Sequence, residues 1–137
     1  MKIKQKVYSN ILNAMKSIDL ESGGILGAKK TTITTIDTFE YDRIGTANEY
    51  IPDVEKLNQI IKKWYLNDVF FVGLVHSHKS KKNLSYADIE YAKNIILSNH
   101  LDWIYMVIFV HENNKLYAYR INMKEELYVN EEEINVK

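Results

Sequence analysis

The chain has no cysteine, a single proline and only five glycines among its 137 residues, and neither sign of charge is in excess. Without cysteine there is no disulfide, no catalytic thiolate and no thiolate-bound metal, so any metal must be held by histidine and carboxylate groups. Basic and acidic residues number 18 each, and a net charge of 0 provides no overall field that attracts nucleic acid or anionic lipid. The longest apolar runs, at 69–75 and 103–110, are far shorter than the ~20 residues of a membrane-spanning helix.

The remaining composition is that of a globular protein, with 46% hydrophobic and 26% charged residues. The length predicts one domain that spans residues 1–137. The first 16 residues lack the continuous apolar segment of a secretory signal, so we expect a cytoplasmic protein with neither a membrane nor a nucleic-acid partner.

Hydrophobic spacing predicts three amphipathic helices, at about residues 4–18, at 52–66 and from Ser85 onward. Apolar and β-branched runs predict strands at 24–28, 31–39, 69–75, 103–110, 116–121 and 127–129.

Residues 41–50 are predicted to form an irregular polar segment, and the acidic run 131–133 is predicted to be solvated. Trp103 and Phe109 are expected in the core, and His100 and His111 at element ends outside any catalytic site. The fold class is therefore α/β or α+β, a mixed sheet flanked by about three helices.

Two histidines follow the most apolar predicted strand. His76 and His78 are two positions apart, and side chains at such positions project from one face of a strand roughly 6.6–6.8 Å apart. Two imidazoles placed in this way can bind one metal ion. A His-x-His pair at a strand end also occurs by chance, so this pair alone favours ordinary surface histidines.

Asp88 lies in the first turn of the third predicted helix, where the helix dipole favours an ionised carboxylate. Ser85-x-x-Asp88 also has the spacing of a helix-capping box, and taken alone it is better explained as a cap. The two interpretations are compatible, because a cap would fix the turn that presents Asp88. Two histidines and one carboxylate leave the fourth position of a tetrahedral zinc site open, as in catalytic zinc centres.

Three segments in order resemble the JAB1/MPN/Mov34 family: ESGGILG at 21–27, GLVHSH at 73–78 and LSYAD at 84–88. The family's JAMM signature is an upstream Glu, then His-x-His, a short loop and Ser-x-x-Asp. The resemblance extends to about residue 110 and is greatest to the small prokaryotic members. It implies a cytidine-deaminase-like fold. It also implies that His76, His78 and Asp88 bind Zn²⁺, that Glu21 is the general base, and that Ser85 stabilises the oxyanion.

The resemblance further implies an isopeptidase that hydrolyses amide or isopeptide bonds at the C terminus of a ubiquitin-like or sulfur-carrier-like protein. Two features depart from the family pattern: Lys79 replaces the usual proline, and six residues instead of seven separate His78 from Ser85. The altered loop leaves a second hypothesis open, an inactive MPN-fold module that binds proteins. Lys79, Lys81 and Lys82 form a basic patch, which a third hypothesis, a RadC-like nucleic-acid protein, would use. The zero net charge opposes that third hypothesis.

Overall fold

The structure is a computed structural model that describes residues 1–17, 20–32, 34–46 and 51–137. Within these ranges the helices are α1 (Gln5–Lys16), α2 (Val54–Leu66) and α3 (Tyr86–Ser98). The strands are β1 (Lys2–Ile3), β2 (Ser22–Lys29), β3 (Thr35–Ile36), β4 (Thr38–Ile44), β5 (Val69–His78), β6 (Trp103–Val110), β7 (Lys115–Asn122), β8 (Tyr128–Glu132) and β9 (Asn135–Val136). A single 3-10 turn covers Lys30–Thr32. None of the helices in the described ranges has the length and apolar character needed to cross a membrane.

The main sheet has six strands in the order β4-β2-β5-β6-β7-β8. Strands β5 and β6 are parallel, and the other neighbouring pairs are antiparallel. The predicted mixed sheet is therefore confirmed. A second, smaller sheet joins β1 to β3 on one side and to β9 on the other, both in parallel.

Helix α1 covers one face of the main sheet, whereas α2 and α3 cover the other. The two faces follow from strand alternation: Tyr105, Val107 and Phe109 of β6 pack in the core under α1, while Met106 and Ile108 pack in the core under α2 and α3. Phe109 is fully buried and the half-buried Trp103 packs against the α1 core, which confirms the prediction for both aromatic residues.

Local capping sets the limits of α2 and α3. The side chain of Asp53 accepts a hydrogen bond from the Lys56 amide at 3.1 Å, so α2 begins one residue after Asp53, and Pro52 precedes the cap. Helix α3 ends before His100, which has a φ of 54° in the left-handed region that stops helices. The predicted positions of both helices are confirmed to within a few residues.

Two of the predicted segments are wrong in detail. Residues 31–39 do not form one strand, because the Asp37 carboxylate accepts a hydrogen bond from the Lys29 amide at 2.8 Å and divides the segment into the 3-10 turn, β3 and β4. Residues 41–44, predicted to be irregular, belong to β4 and pair with β2. Residues 45–46 belong to no helix or strand, as predicted, and residues 47–50 lie outside the described residues.

The acidic run 131–133 is not merely solvated. Glu131 and Glu132 belong to β8, and Glu132 accepts a hydrogen bond from the α-amino group of Met1 at 2.9 Å. The Glu133 carbonyl accepts another from the same group at 2.8 Å. Opposite charges hold this segment in place, so the strand predicted at 127–129 begins one residue later and extends to Glu132.

Candidate metal centre

His76 and His78 lie at the end of β5, the strand between β2 and β6 in the main sheet. Both side chains project from the face covered by α2 and α3, and their ring centroids are 4.9 Å apart. Hydrogen bonds to strands on both sides hold His76, which pairs with Gly23 of β2 and Ile108 of β6. The two imidazoles therefore sit on a rigid part of the fold.

Asp88 meets both histidines from the first turn of α3. Its Oδ1 lies 3.2 Å from His76 Nε2, and its Oδ2 lies 3.2 Å from His78 Nε2. One ligand atom from each of the three residues lies within 4.8 Å of the others. His76 and Asp88 are each only 9% exposed. The structure thus brings together the three residues that the sequence singled out as metal ligands.

The charges of this cluster favour an ionised carboxylate. Burial alone would raise the pKa of Asp88, but the hydrogen bonds with His76 and His78 outweigh it and hold that pKa well below its usual value. Burial likewise lowers the pKa of His78, yet its contacts with Asp88 and with the Lys81 carbonyl outweigh burial and raise it above the usual value. The cluster therefore combines an ionised carboxylate with an imidazole whose protonated form that carboxylate stabilises.

The ring of His78 has a defined orientation. Its Nδ1 lies 2.9 Å from the Lys81 carbonyl oxygen, and because a carbonyl only accepts, Nδ1 must carry a proton. In the neutral imidazole Nε2 then presents its lone pair to the Asp88 carboxylate at 3.2 Å. The Nε2 lone pair and the carboxylate oxygen are both acceptors, so their approach to 3.2 Å requires a second proton or a metal ion between them. A neutral histidine oriented by a carbonyl is also the usual form of a histidine metal ligand, so these residues fit a zinc ion.

Ser85 and Asp88 form the predicted capping box. The Ser85 hydroxyl oxygen accepts a hydrogen bond from the Asp88 amide at 3.1 Å, and Asp88 Oδ2 accepts one from the Ser85 amide at 2.8 Å. This box fixes the carboxylate that faces the histidines, so the capping interpretation is confirmed and is compatible with the ligand interpretation. The Ser85 hydroxyl proton is not used by the cap and can be donated into the cavity that Ser85 lines.

Glu21 lines the same cavity, which has a volume of about 750 Å³. Glu21 is half-buried and immediately precedes β2, and its amide donates a hydrogen bond to the Thr46 carbonyl at 2.9 Å. The cavity wall also includes Leu74, Tyr91 and Met106. One opening therefore contains a carboxylate, a hydroxyl and the two-histidine cluster beside an apolar surface.

The shortened loop at 79–84 does not displace the ligands. Its backbone is held by a hydrogen bond from the Glu112 amide to the Lys79 carbonyl, 3.0 Å long, and by one from the Tyr119 hydroxyl to the Lys82 carbonyl, 2.8 Å long. Within the predicted basic patch, Lys82 is paired with Glu131 at 3.1 Å, while Lys79 and Lys81 line the cavity.

His100 and His111 take no part in the cluster. Among the described residues that line the cavity neither appears, and they follow α3 and β6, where the sequence predicted them. Two other residues that hold the strand and the loop of the cluster, Ser77 and Tyr119, were not predicted from the sequence. Ser77 could have been found, because its position between two histidines of a strand directs it to the opposite face. The contact of Tyr119 joins residues 37 positions apart and leaves no local signal.

No family model matches the chain, and no curated protein does. The chain is similar over nearly its whole length to solved structures that include the following two. Protein DSY2949 from Desulfitobacterium hafniense aligns with a TM-score of 0.73 and 17% identity, covering 99% of this chain and 92% of its own. AF2198, a JAB1/MPN domain protein from Archaeoglobus fulgidus, aligns with a TM-score of 0.57 and 22% identity, covering 99% and 98%. The chain therefore has a mixed α+β fold of the JAB1/MPN type.

Proposed function

We propose that this protein is a zinc-dependent metallopeptidase of the JAMM type that hydrolyses amide or isopeptide bonds. The observation that carries the proposal is the meeting of His76 and His78 with Asp88, each Nε2 lying 3.2 Å from a carboxylate oxygen, in a cavity that Glu21 and Ser85 also line. Similarity to a JAB1/MPN domain protein is consistent with this chemistry.

In this proposal His76, His78 and Asp88 hold the ion. Zinc, when bound, supplies Lewis acidity and activates water for attack at neutral pH. Glu21 accepts the proton of the attacking water and passes it to the departing amine. Ser85 donates its hydroxyl proton to the carbonyl oxygen as negative charge develops there. The apolar wall at Leu74 and Met106 limits the access of bulk water to these groups.

For the substrate we propose the extended C-terminal tail of a ubiquitin-like or sulfur-carrier-like protein. The support is the position of an edge strand: β4 forms one edge of the main sheet, and its last residues pair with the start of β2, next to Glu21. An extended tail can pair with such an edge through backbone hydrogen bonds and reach the cavity.

The metal content of the purified protein tests the centre. We expect about one zinc per chain in the parent protein, and loss of zinc in His78→Ala and Asp88→Ala. The Glu21→Gln variant is the matched control: it should retain zinc and lose cleavage of a ubiquitin-like protein whose C-terminal tail is fused to a reporter peptide. Absence of zinc from the parent after supplementation would contradict the enzyme and favour the second hypothesis, an inactive protein-binding module.

A further inference from the structure

The loop at residues 79–84 connects two parts of the candidate site, because it begins after His78 and ends at Ser85. Three of its carbonyl groups accept hydrogen bonds from side chains or amides outside the loop. The Lys79 carbonyl accepts from the Glu112 amide at 3.0 Å, and the Lys82 carbonyl accepts from the Tyr119 hydroxyl at 2.8 Å. The Lys81 carbonyl accepts from His78 Nδ1 at 2.9 Å and thereby orients that ring.

Tyr119 is a rigid anchor for this loop. It lies in β7, is only 6% exposed, and its ring packs in the core beneath α2 and α3. A ring fixed in this way fixes its hydroxyl, so the Lys82 carbonyl is tied to the sheet. The residue before it, Lys81, provides the carbonyl that orients His78. The chain of contacts from Tyr119 to His78 therefore passes through two adjacent peptide units, which are joined at the Cα atom of Lys82.

The side chain of Lys82 also contacts the end strands of the sheet, but these contacts are weaker than the hydrogen bond from Tyr119. The Lys82 ammonium lies 3.1 Å from Glu131, but both side chains are nearly half exposed, at 47% and 46%. Ion pairs in such surroundings contribute little, because water and salt screen them. The same ammonium lies 5.4 Å from the centre of the Tyr117 ring, a contact that does not involve the loop backbone.

We propose that Tyr119 is a positioning residue for the metal centre, acting through the Lys81–Lys82 backbone to hold His78 with Nδ1 on the Lys81 carbonyl. The consequence of this role depends on the proposed zinc site, whereas its geometry depends only on the hydrogen bonds of Tyr119 with the Lys82 carbonyl and of His78 with the Lys81 carbonyl. Without the Tyr119 hydroxyl, the Lys81 carbonyl can turn away from the ring. His78 then loses the partner that directs its Nε2 toward Asp88.

The test compares Tyr119→Phe with Tyr117→Phe. Both variants lose one hydroxyl from β7, but the Tyr117 hydroxyl contacts only the Asn113 side chain in the described structure, at 3.0 Å. Zinc affinity is measured by competition with a chromophoric chelator. Loss of a group that directly orients a metal ligand costs about 10- to 100-fold in affinity, and Tyr119 acts one contact further away, so we expect affinity to fall by about 3- to 10-fold in Tyr119→Phe. Tyr117→Phe should bind zinc as the parent does.

A second measurement does not need the metal. In metal-free protein labelled with ¹⁵N-histidine, the Nδ1 proton of His78 should exchange slowly and give an observable resonance, assigned by its absence from His78→Ala. We expect that resonance in the parent and in Tyr117→Phe, and its loss in Tyr119→Phe.

Unchanged zinc affinity together with an unchanged resonance in Tyr119→Phe would overturn the inference, as would equal losses in both variants. If the parent binds no zinc but Tyr119→Phe alone loses the resonance, the proposed function fails and the positioning role stands.

Discussion

The Ser77 hydroxyl oxygen accepts a hydrogen bond from the Ser22 amide at 3.0 Å, and both residues are fully buried. Ser77 lies between the two histidines of β5 but faces α1, because alternate residues of a strand project to opposite sides. Ser22 is the first residue of β2 and directly follows Glu21. This bond therefore connects the strand that carries two proposed metal ligands to the backbone next to the proposed base.

Replacing Ser77 by alanine leaves the Ser22 amide buried without that acceptor. We expect the free energy of unfolding to fall by about 1–3 kcal/mol, the cost of an unsatisfied buried donor. Cleavage should fall more than zinc binding. The substitution removes the hydrogen bond that holds the backbone next to Glu21, whereas the hydrogen bonds that hold His78 and Asp88 are retained. Urea unfolding, zinc content and turnover of the fusion substrate measure the three effects.

Ser22→Ala is the matched control for this prediction. It removes a buried hydroxyl, which contacts Met15 Sδ at 3.3 Å, but it retains the amide that donates to Ser77. If Ser77→Ala and Ser22→Ala reduce cleavage equally, the tether between β5 and Glu21 is not the cause.

Ser85 caps helix α3 and is also the proposed oxyanion donor, and two substitutions separate these roles. At a helix N-cap, alanine costs about 1 kcal/mol of stability, whereas glycine costs only a few tenths. Loss of the hydroxyl as an oxyanion donor costs about 10²- to 10³-fold in turnover for either residue. We therefore expect Ser85→Ala and Ser85→Gly to differ in unfolding free energy but to lose similar amounts of activity.

Zinc content should remain at the parent level in both Ser85 variants, because the Ser85 amide still donates to Asp88 Oδ2 at 2.8 Å. If Ser85→Gly is nearly as active as the parent and Ser85→Ala is less active, turnover changes in parallel with the free energy of unfolding. Ser85 would then be a helix cap and not an oxyanion donor.

The candidate metal ligands could be found from sequence because local geometry fixes them. His76 and His78 share a face by strand alternation, and Ser85 and Asp88 share a helix turn by capping. The approach of Asp88 to both imidazoles depends on how α3 packs on the sheet. Local spacing contains no such distance, and only the order of motifs in the family resemblance indicated it.

Segments governed by distant partners were predicted less well. Strand β3 pairs with β1, about 33 residues earlier in the chain, and β8 is fixed partly by the contact of Glu132 with the α-amino group of Met1. Residues 31–39 are rich in β-branched side chains, so propensity favoured one strand over the division that Asp37 imposes. Long-range pairing overrode local preference in both segments.

His100 ends α3 in the left-handed conformation, with a φ of 54°. A residue with a side chain is strained there, whereas glycine is not. We expect His100→Gly to raise the free energy of unfolding by up to about 1 kcal/mol and to leave zinc content unchanged. The neighbouring Asn99→Gly is the control: its φ of −105° gives glycine no such advantage, so it should be destabilising. A loss of zinc in His100→Gly would contradict the position of His100 outside the site.

Asp37 provides a pH-dependent contribution to stability. Its side chain is 3% exposed, Oδ1 lies 2.7 Å from the Lys4 ammonium, and Oδ2 accepts from the Lys29 amide at 2.8 Å. Burial raises the pKa of Asp37, but these two partners outweigh burial, so the pKa lies below its usual value. Since the carboxyl is more acidic in the folded than in the unfolded chain, the stabilisation is complete above the unfolded pKa of about 3.9. It is lost as the pH falls through the folded pKa.

We therefore expect Asp37→Asn to lower the free energy of unfolding by about 0.5–1.5 kcal/mol at pH 7, because the charge-assisted contacts of the Asp37 carboxylate are lost, and the exposed Lys4 partner keeps the effect small. Near pH 3 the difference from the parent should shrink, because the carboxyl takes up a proton in the unfolded parent below about 3.9 and part of the stabilisation is lost. Lys4→Met, which removes the cation and keeps the Lys29 amide, should show a smaller change in the same direction. Urea unfolding at a series of pH values measures all three proteins. A difference between Asp37→Asn and the parent that stays constant from pH 7 to pH 3 would mean that packing, rather than the charge of Asp37, stabilises this turn.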